Sequence, residues 1–161
     1  MIENTPKIVN NYAVDTVRGA YENAARWMYY LVREGLEHGL PIEFAHDAMK
    51  ASGDVFHTSR FQNVKSVEDF VREYMDFGAQ KVKEGTVAQQ DADHVKIVFG
   101  YCPLVAAWQK LTDDEEFIRK LCGCCEAMDR QIAEDLGMTL ETEGTIAQGC
   151  GVCTLCFQKK D

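Results

Sequence analysis

His94-Val95-Lys96-Ile97-Val98-Phe99-Gly100-Tyr101 is the stretch that decides the fold. Val95, Ile97 and Phe99 alternate with His94, Lys96 and Val98, and a period of two puts one apolar face of a strand against a core. Thr86–Gln90 is strand-like as well, and Asp91-Ala92-Asp93 between the two reads as a hairpin turn. A second pair of strands, roughly 139–147 and 152–159, turns through Gln148-Gly149-Cys150-Gly151. Before Gly85 the apolar residues recur at helical spacing. The order helices, hairpin, helices, hairpin predicts one α+β domain over residues 1–161. It has a helical N-terminal half, about 13–84. An α+β half follows, about 85–160, whose two β-hairpins form an antiparallel sheet packed against helices.

In the helical half, residues 1–12 read as an irregular lead-in. From Asp15 to His38, Val17, Ala20, Tyr21, Ala24, Trp27, Met28, Leu31 and Val32 mark a long amphipathic helix. Gly39 and Pro41 end it and open a second helix over 41–58, whose later half Gly53 weakens. Ser66 with Asp69 resembles a capping box opening a third helix through Val67, Phe70, Val71, Tyr74 and Phe77. His46 and His57 fit solvated or hydrogen-bonded structural roles.

After the first hairpin, a short helix follows Cys102-Pro103 through Trp108 to about Leu111. Thr112-Asp113-Asp114-Glu115 reads as a capping box for the helix that carries the chemistry. On it, Ile118, Leu121, Cys122, Cys125, Ile132 and Leu136 form one apolar stripe, and Asp129 falls inside that stripe. A carboxylate on a core-facing line is costly unless it is paired, hydrogen-bonded or lining a pocket. Glu126 lies at the stripe's edge and Arg130 one turn beyond it, so this central helix is expected to face a polar site.

The totals limit the function classes. The 161 residues are 46% hydrophobic and 27% charged, with a formal net charge of −9. That balance argues against nucleic acid and anionic membrane surfaces as partners. No apolar run approaches the length of a membrane span. The start, Met-Ile-Glu-Asn-Thr-Pro-Lys, lacks the pattern of a signal peptide, so the expected compartment is the cytoplasm. There the 7 Cys stay reduced, and an odd number fits poorly with a fully paired disulfide framework. P-loop, dinucleotide-binding, Gly-x-Ser-x-Gly and His-Glu-x-x-His motifs are absent.

Cys150-x-x-Cys153-x-x-Cys156 has the spacing of a metal or iron–sulfur motif, but on a regular strand Cys153 and Cys156 point to opposite faces. Cys122 and Cys125 are neighbours on their helix, while Cys124 points elsewhere. A zinc or iron site would draw on Cys102, Cys125 and Cys153 with Glu126 or Asp129, provided the hairpins meet the central helix. The alternative is that these thiols are small core residues and no cofactor is present. Cys124 and Cys156 favour that alternative.

Several elements together resemble a known family: Tyr101-Cys102-Pro103-Leu104, Trp108, Leu121-Cys122-x-x-Cys125-Glu126-x-x-Asp129-Arg130 with Gly137, and Thr145-Ile146-Ala147-Gln148-Gly149 leading to Cys153-x-x-Cys156-Phe157. The pattern resembles the L-2-amino-thiazoline-4-carboxylic acid hydrolase family, mainly over residues 85–160. The resemblance implies hydrolytic opening of a cyclic amidine, a 2-aminothiazoline carboxylate, to N-carbamoyl-cysteine. Cys124, Cys150 and Cys156 are additional to that pattern. A more distant likeness, at the level of fold, is to small-ligand sensor domains of the vinyl-reductase type, which hold Cys/Glu-bound zinc near a pocket.

Three readings follow. In the first, the chain is a hydrolase of a small cyclic amidine or related C–N bond. Asp129 is then the base, Glu126 a proton relay, Cys125 or Cys102 a nucleophile if its thiolate is stabilised, and Arg130 the clamp for the substrate carboxylate. In the second, the same residues bind a metal or small ligand without turnover, with Trp108 and Phe99 lining an apolar pocket. In the third, the chain is an interaction module. Trp27, Met28 and Leu31 then lie on the buried face of the first helix, and Tyr29 and Tyr30 are candidates for a homo-oligomer interface.

Overall fold

The structure is a computed structural model and describes residues 1–160. Five α-helices and four strands follow in the order α1 (Tyr12–Glu37), α2 (Glu43–Phe56), α3 (Val67–Tyr74), β1 (Gly85–Gln90), β2 (His94–Phe99), α4 (Pro103–Gln109), α5 (Glu115–Asp135), β3 (Met138–Gly144) and β4 (Cys153–Lys159). Wide π-helical turns at His57–Phe61 and Gly78–Val82 follow α2 and precede β1. The fold is α+β, as the alternation of helical and strand-like segments requires.

The two hairpins merge into one antiparallel sheet in the order β1-β2-β4-β3. Pairing of β2 with β4 sets Val95 against Phe157, Ile97 against Leu155 and Phe99 against Cys153. Side chains alternate across a strand, so these residues share the face turned to the helices. Cys156 lies on the other face, where its thiol donates to Glu143 Oε1 at 3.3 Å beside the 2.7 Å ion pair of Lys96 and Glu143. Cys156 is therefore not the core filler the sequence suggested, whereas Cys124 is fully buried. The third strand ends earlier than expected, because Thr145 caps a short 3-10 turn over Ile146–Gln148 and Gln148 reciprocates on the Thr145 amide.

The helices are fixed by local chemistry. Ser66 Oγ accepts from the Asp69 amide at 3.1 Å and starts α3. The cap of α5 is Asp114, two residues beyond the expected Thr112: its side chain accepts from the Phe117 amide at 3.0 Å, and Thr112 Oγ1 accepts from the Asp114 amide. Two acids follow in the first turn, Glu115 and Glu116, where the helix dipole favours them. Gly53 does more than weaken α2. A Cβ there would come within 2.7 Å of Gln131 Cβ and 2.8 Å of the Met128 carbonyl oxygen, so the glycine lets α2 lie against the central helix α5.

The first helix turns a different face inward than expected. Val14, Arg18, Ala25, Tyr29 and Val32 are its buried residues, while Trp27 is 66% and Leu31 70% exposed. Tyr29 is buried edge-on to Phe117, with ring centroids 5.4 Å apart, so of the two tyrosines offered as an interface only Tyr30 faces outward. The physical reason is Arg18. Its guanidinium lies in the core because Glu84 Oε1 accepts from NH2 at 3.0 Å, the Ile8 and Val82 carbonyls accept from NH1 and Nε, and the Tyr101 ring stacks under it at 4.3 Å. A buried, fully paired cation is invisible to a hydrophobicity count.

Two hydrophobic clusters result. One joins the sheet to α3 and the π-turns through Phe61, Phe70, Ile97 and Phe157, and the other joins α1, α2, α4 and α5 through Trp108, Ile118 and Leu121. Partly buried Cys153 packs against both. The candidate site lies at their junction.

Candidate functional site

A cavity with about 80 Å³ of internal space opens between the sheet, α4 and α5. That is smaller than most ligand pockets, so an occupant has to be small. Asp129, Glu126, Cys125 and Cys122 line it from α5, Cys102, Leu104 and Trp108 from the start and body of α4, and Cys153 and Leu155 from β4. Of the residues singled out by sequence, Asp129, Glu126, Cys125, Cys102, Trp108 and Cys153 thus share one wall system. Phe99 also lines it.

Asp129 is the best-supported polar group. Tyr74 donates its hydroxyl to Asp129 Oδ1 at 2.9 Å. Burial pushes the Asp129 carboxyl above the usual carboxylate range, while Lys83, the Tyr74 hydroxyl and Arg130 pull it partway back. Burial, followed by the neighbouring Asp129, holds the Tyr74 hydroxyl protonated. Burial also raises Glu126, against the opposing pull of Arg130.

The sequence reading missed Lys83 and Tyr74. Lys83 caps the π-turn Gly78–Val82 and turns its side chain into the cavity. Burial, the largest single effect, disfavours its charge, yet the fields of Asp129, Tyr21, Cys102 and Cys125 together outweigh it and hold its pKa above the ordinary lysine value. Its ammonium stands 5.4 Å over the Phe99 ring and 5.9 Å from that of Tyr21. It has no ion-pair or hydrogen-bond partner among the described residues. No sequence signal marks Lys83 out, since it lies in a polar run, Gln80-Lys81-Val82-Lys83-Glu84, and only the turn's geometry selects it.

Arg130, expected as the carboxylate clamp, is not in the cavity. Half exposed, it donates to the Leu140 carbonyl at 2.7 Å and pairs with Glu126 at 3.5 Å. Trp108 is a wall rather than a polar contact, because its indole N–H is committed to the Ala25 carbonyl at 2.9 Å.

The four cavity thiols are protonated at neutral pH. Burial pushes Cys153 up to about 12 and raises Cys122 and Cys125 further from the thiolate range. Cys102 is raised too, with the amides of Val105 and Leu104 and the field of Lys83 set against its burial. The Cys153 sulfur accepts from the Ile146 amide at 3.3 Å. Among the described residues no group of three or more His, Cys, Asp or Glu side chains is arranged to hold a metal ion. Cys102, Cys125 and Cys153 share the cavity without converging as ligands, so the donor set does not fit the zinc or iron site that their spacing suggested.

A second cavity, with about 150 Å³ of internal space, adjoins the first across Tyr74, Lys83, Phe99 and Asp129, and is lined also by Phe56, Phe61 and the ion-paired Arg60 and Asp76. Lys83 and Asp129 therefore stand in the partition between two spaces.

The model of the L-2-amino-thiazoline-4-carboxylic acid hydrolase family matches residues 10–157. The chain belongs to this family. The match takes in the helical half as well as the region from 85 onward, so Tyr74 and Lys83 lie within the family's shared extent. A search of curated proteins finds no match. Among solved structures, the chain is similar to a trafficking protein particle complex subunit 3 from Naegleria fowleri, covalently bound to palmitic acid, with a TM-score of 0.56 at 14% identity over 88% of this chain and 96% of that one. At that identity the likeness is one of fold. No helix among the described residues is long and apolar enough to cross a membrane.

Proposed function

We propose that this member of the hydrolase family opens a small carboxylate-bearing cyclic amidine at the Asp129–Lys83 end of the cavity. The observation that carries the reading is an unpartnered ammonium beside a buried carboxylate, both walled by apolar side chains. A 2-aminothiazoline carboxylate is a zwitterion, amidinium at one end and carboxylate at the other. The pair presents the complementary order, Asp129 to the amidinium and Lys83 to the carboxylate, where low polarity strengthens both contacts.

The chemistry divides among groups already in place. Asp129 Oδ1 is held by Tyr74, which leaves Oδ2 to take a proton from water. The water oxygen bonds to C2 of the ring and the C2–S bond breaks. The ring nitrogen of the amidinium already carries its proton, so one water proton ends on the departing sulfur and the other leaves through Asp129 to solvent, giving N-carbamoyl-cysteine. Glu126, raised by burial on the same wall, is placed to pass a proton toward the leaving side. The protonated thiols favour water over a cysteine as the nucleophile, and Cys102 is the thiol to watch because two backbone amides and Lys83 oppose its burial.

The test is release of free thiol from 2-amino-thiazoline-4-carboxylate in excess over protein. Turnover by the native chain and a fall of about 10²–10⁴ in Asp129→Asn is the expected result; no turnover by the native chain sinks the hydrolase reading. A second reading, a domain that binds a small ligand without turnover, is favoured by the apolar walls and protonated thiols. Saturable binding of the same compound with no thiol release would select it.

A further inference from the structure

The outward face of α1 carries a pattern that the cavity does not use. Ala13, Val17, Ala20, Ala24, Trp27 and Leu31 recur at intervals of four, three, four, three and four residues. That is the 3.5-residue period of a helix-pairing seam. The buried stripe of the same helix, Val14, Arg18, Tyr21, Ala25, Met28 and Val32, has the same period one residue on. α1 therefore has two seams, one satisfied within the chain and one open. Apart from half-buried Val17 the open seam is exposed, and Thr16, Asn23 and Tyr30 flank it on its outer side, exposed as well. None of these nine residues is charged, in a chain that is 27% charged with a net charge of −9. A solvated helix face has no reason to exclude charge so consistently, and a face that meets another acidic surface does.

We propose that α1 pairs antiparallel with α1 of a second copy of this chain. The seam is self-complementary in that direction. A two-fold axis beside residue 22 sets Leu31 against Ala13, Trp27 against Val17 and Ala24 against Ala20, so each large residue meets a small one. Thr16 then faces Tyr30 across the flank, and Asn23 faces its own copy on the axis. A parallel pairing would stack Trp27 on Trp27 and alanine on alanine, leaving gaps between the two ends of the seam. The antiparallel arrangement also opposes the helix dipoles and brings Glu34 and Glu37 toward the positive end of the facing helix. The contact is isologous, so it closes as a dimer and does not propagate.

Size sets the expected strength. Trp27, Tyr30 and Leu31 are 66%, 49% and 70% exposed. With the small residues between them the seam offers roughly 600 Å² per partner, at the lower edge of stable specific interfaces. The dimer is accordingly expected to dissociate on dilution.

The experiment is the solution mass of the full chain by analytical ultracentrifugation from about 1 to about 300 µM, the range in which an interface of this size titrates. The expected result is a rise toward twice the 18.2 kDa chain mass and its loss in Trp27→Glu, with helical content unchanged. Ala24→Glu serves as a second variant should Trp27→Glu fold poorly. Direction is read from cysteine cross-linking in a Cys150→Ser background. Asn23→Cys should form a disulfide-linked dimer and Leu31→Cys should not, since antiparallel pairing separates the two copies of residue 31 by about 27 Å. A monomer across the whole range overturns the proposal. So does a dimer that survives both glutamate variants, or cross-linking through residue 31 and not residue 23.

Discussion

The two ends of the cavity enclose ionisable groups of similar burial and treat them differently. At the sheet-side end, Asp129 has Lys83 nearby and a Tyr74 hydroxyl at 2.9 Å, so its charge is costly but supported. Among the thiols, Cys122 and Cys125 have weaker support, Cys153 has the Ile146 amide and the field of Lys83, and burial still keeps all three neutral. The difference teaches where charge can develop during a reaction. A site stabilises an anion only where donors are already aimed at it. On the proposed reading the acid end carries the chemistry, the thiols set shape and polarity, and Cys102 stands at the boundary.

The sharpest way to break this contrast is Asp129→Asn. Thiol release from the amidine substrate should fall by about 10²–10⁴, the usual weight of a general base, with circular dichroism unchanged. The same variant should gain stability toward neutral pH. A raised folded pKa means that the carboxyl favours folding while protonated, and this is lost as pH rises through that pKa. Asparagine has no such loss, so denaturation midpoints of the two proteins should converge as pH falls. A variant that is less stable at every pH would show that the carboxylate is structural.

Lys83→Met should cost less, about 10–100-fold in kcat/KM, from loss of one charge-assisted contact to the substrate carboxylate. Because Lys83 holds the Asp129 pKa down, the ascending limb of the pH–rate profile should also move to higher pH. A fall in rate without that movement would mean that Lys83 binds substrate and leaves the base untouched.

Alanine at Cys125 or Cys153 should change turnover by less than about tenfold and lower stability by about 1 kcal/mol for the atoms removed. Cys102→Ala sharpens the comparison: a loss as large as that of Asp129→Asn would move the nucleophile to the thiol end. The smallest effect expected is kinetic. In alkylation followed by mass spectrometry, exposed Cys150 should be modified first and the cavity thiols last.

How much of this was legible depends on whether a residue's partners are close in sequence. The alternation at Val95, Ile97 and Phe99 fixed a strand because its core face is wholly apolar. Asp129 stood out for the opposite reason, as an acid on the apolar stripe of α5. The face of α1 was misread because its two seams have equal periods, and the buried one includes Arg18, whose acceptor Glu84 is 66 residues away. Lys83 was missed on the same ground: its distance from Asp129 is set by a π-turn that hydropathy does not register. Arg130 was over-read, since one helical turn from Glu126 is also the spacing of an ordinary surface ion pair.

Glu84 has a consequence beyond neutralising Arg18. Its backbone is left-handed, with φ 55°, and its Oε1 also accepts from the amides of Lys7 at 2.7 Å and Ile8 at 2.8 Å. The residue before it is Lys83. The opening segment of the chain is thus moored to the peptide that aims the cavity's cation, and slack in that mooring would reach the substrate as a change in affinity before it reached the protein as a change in melting point.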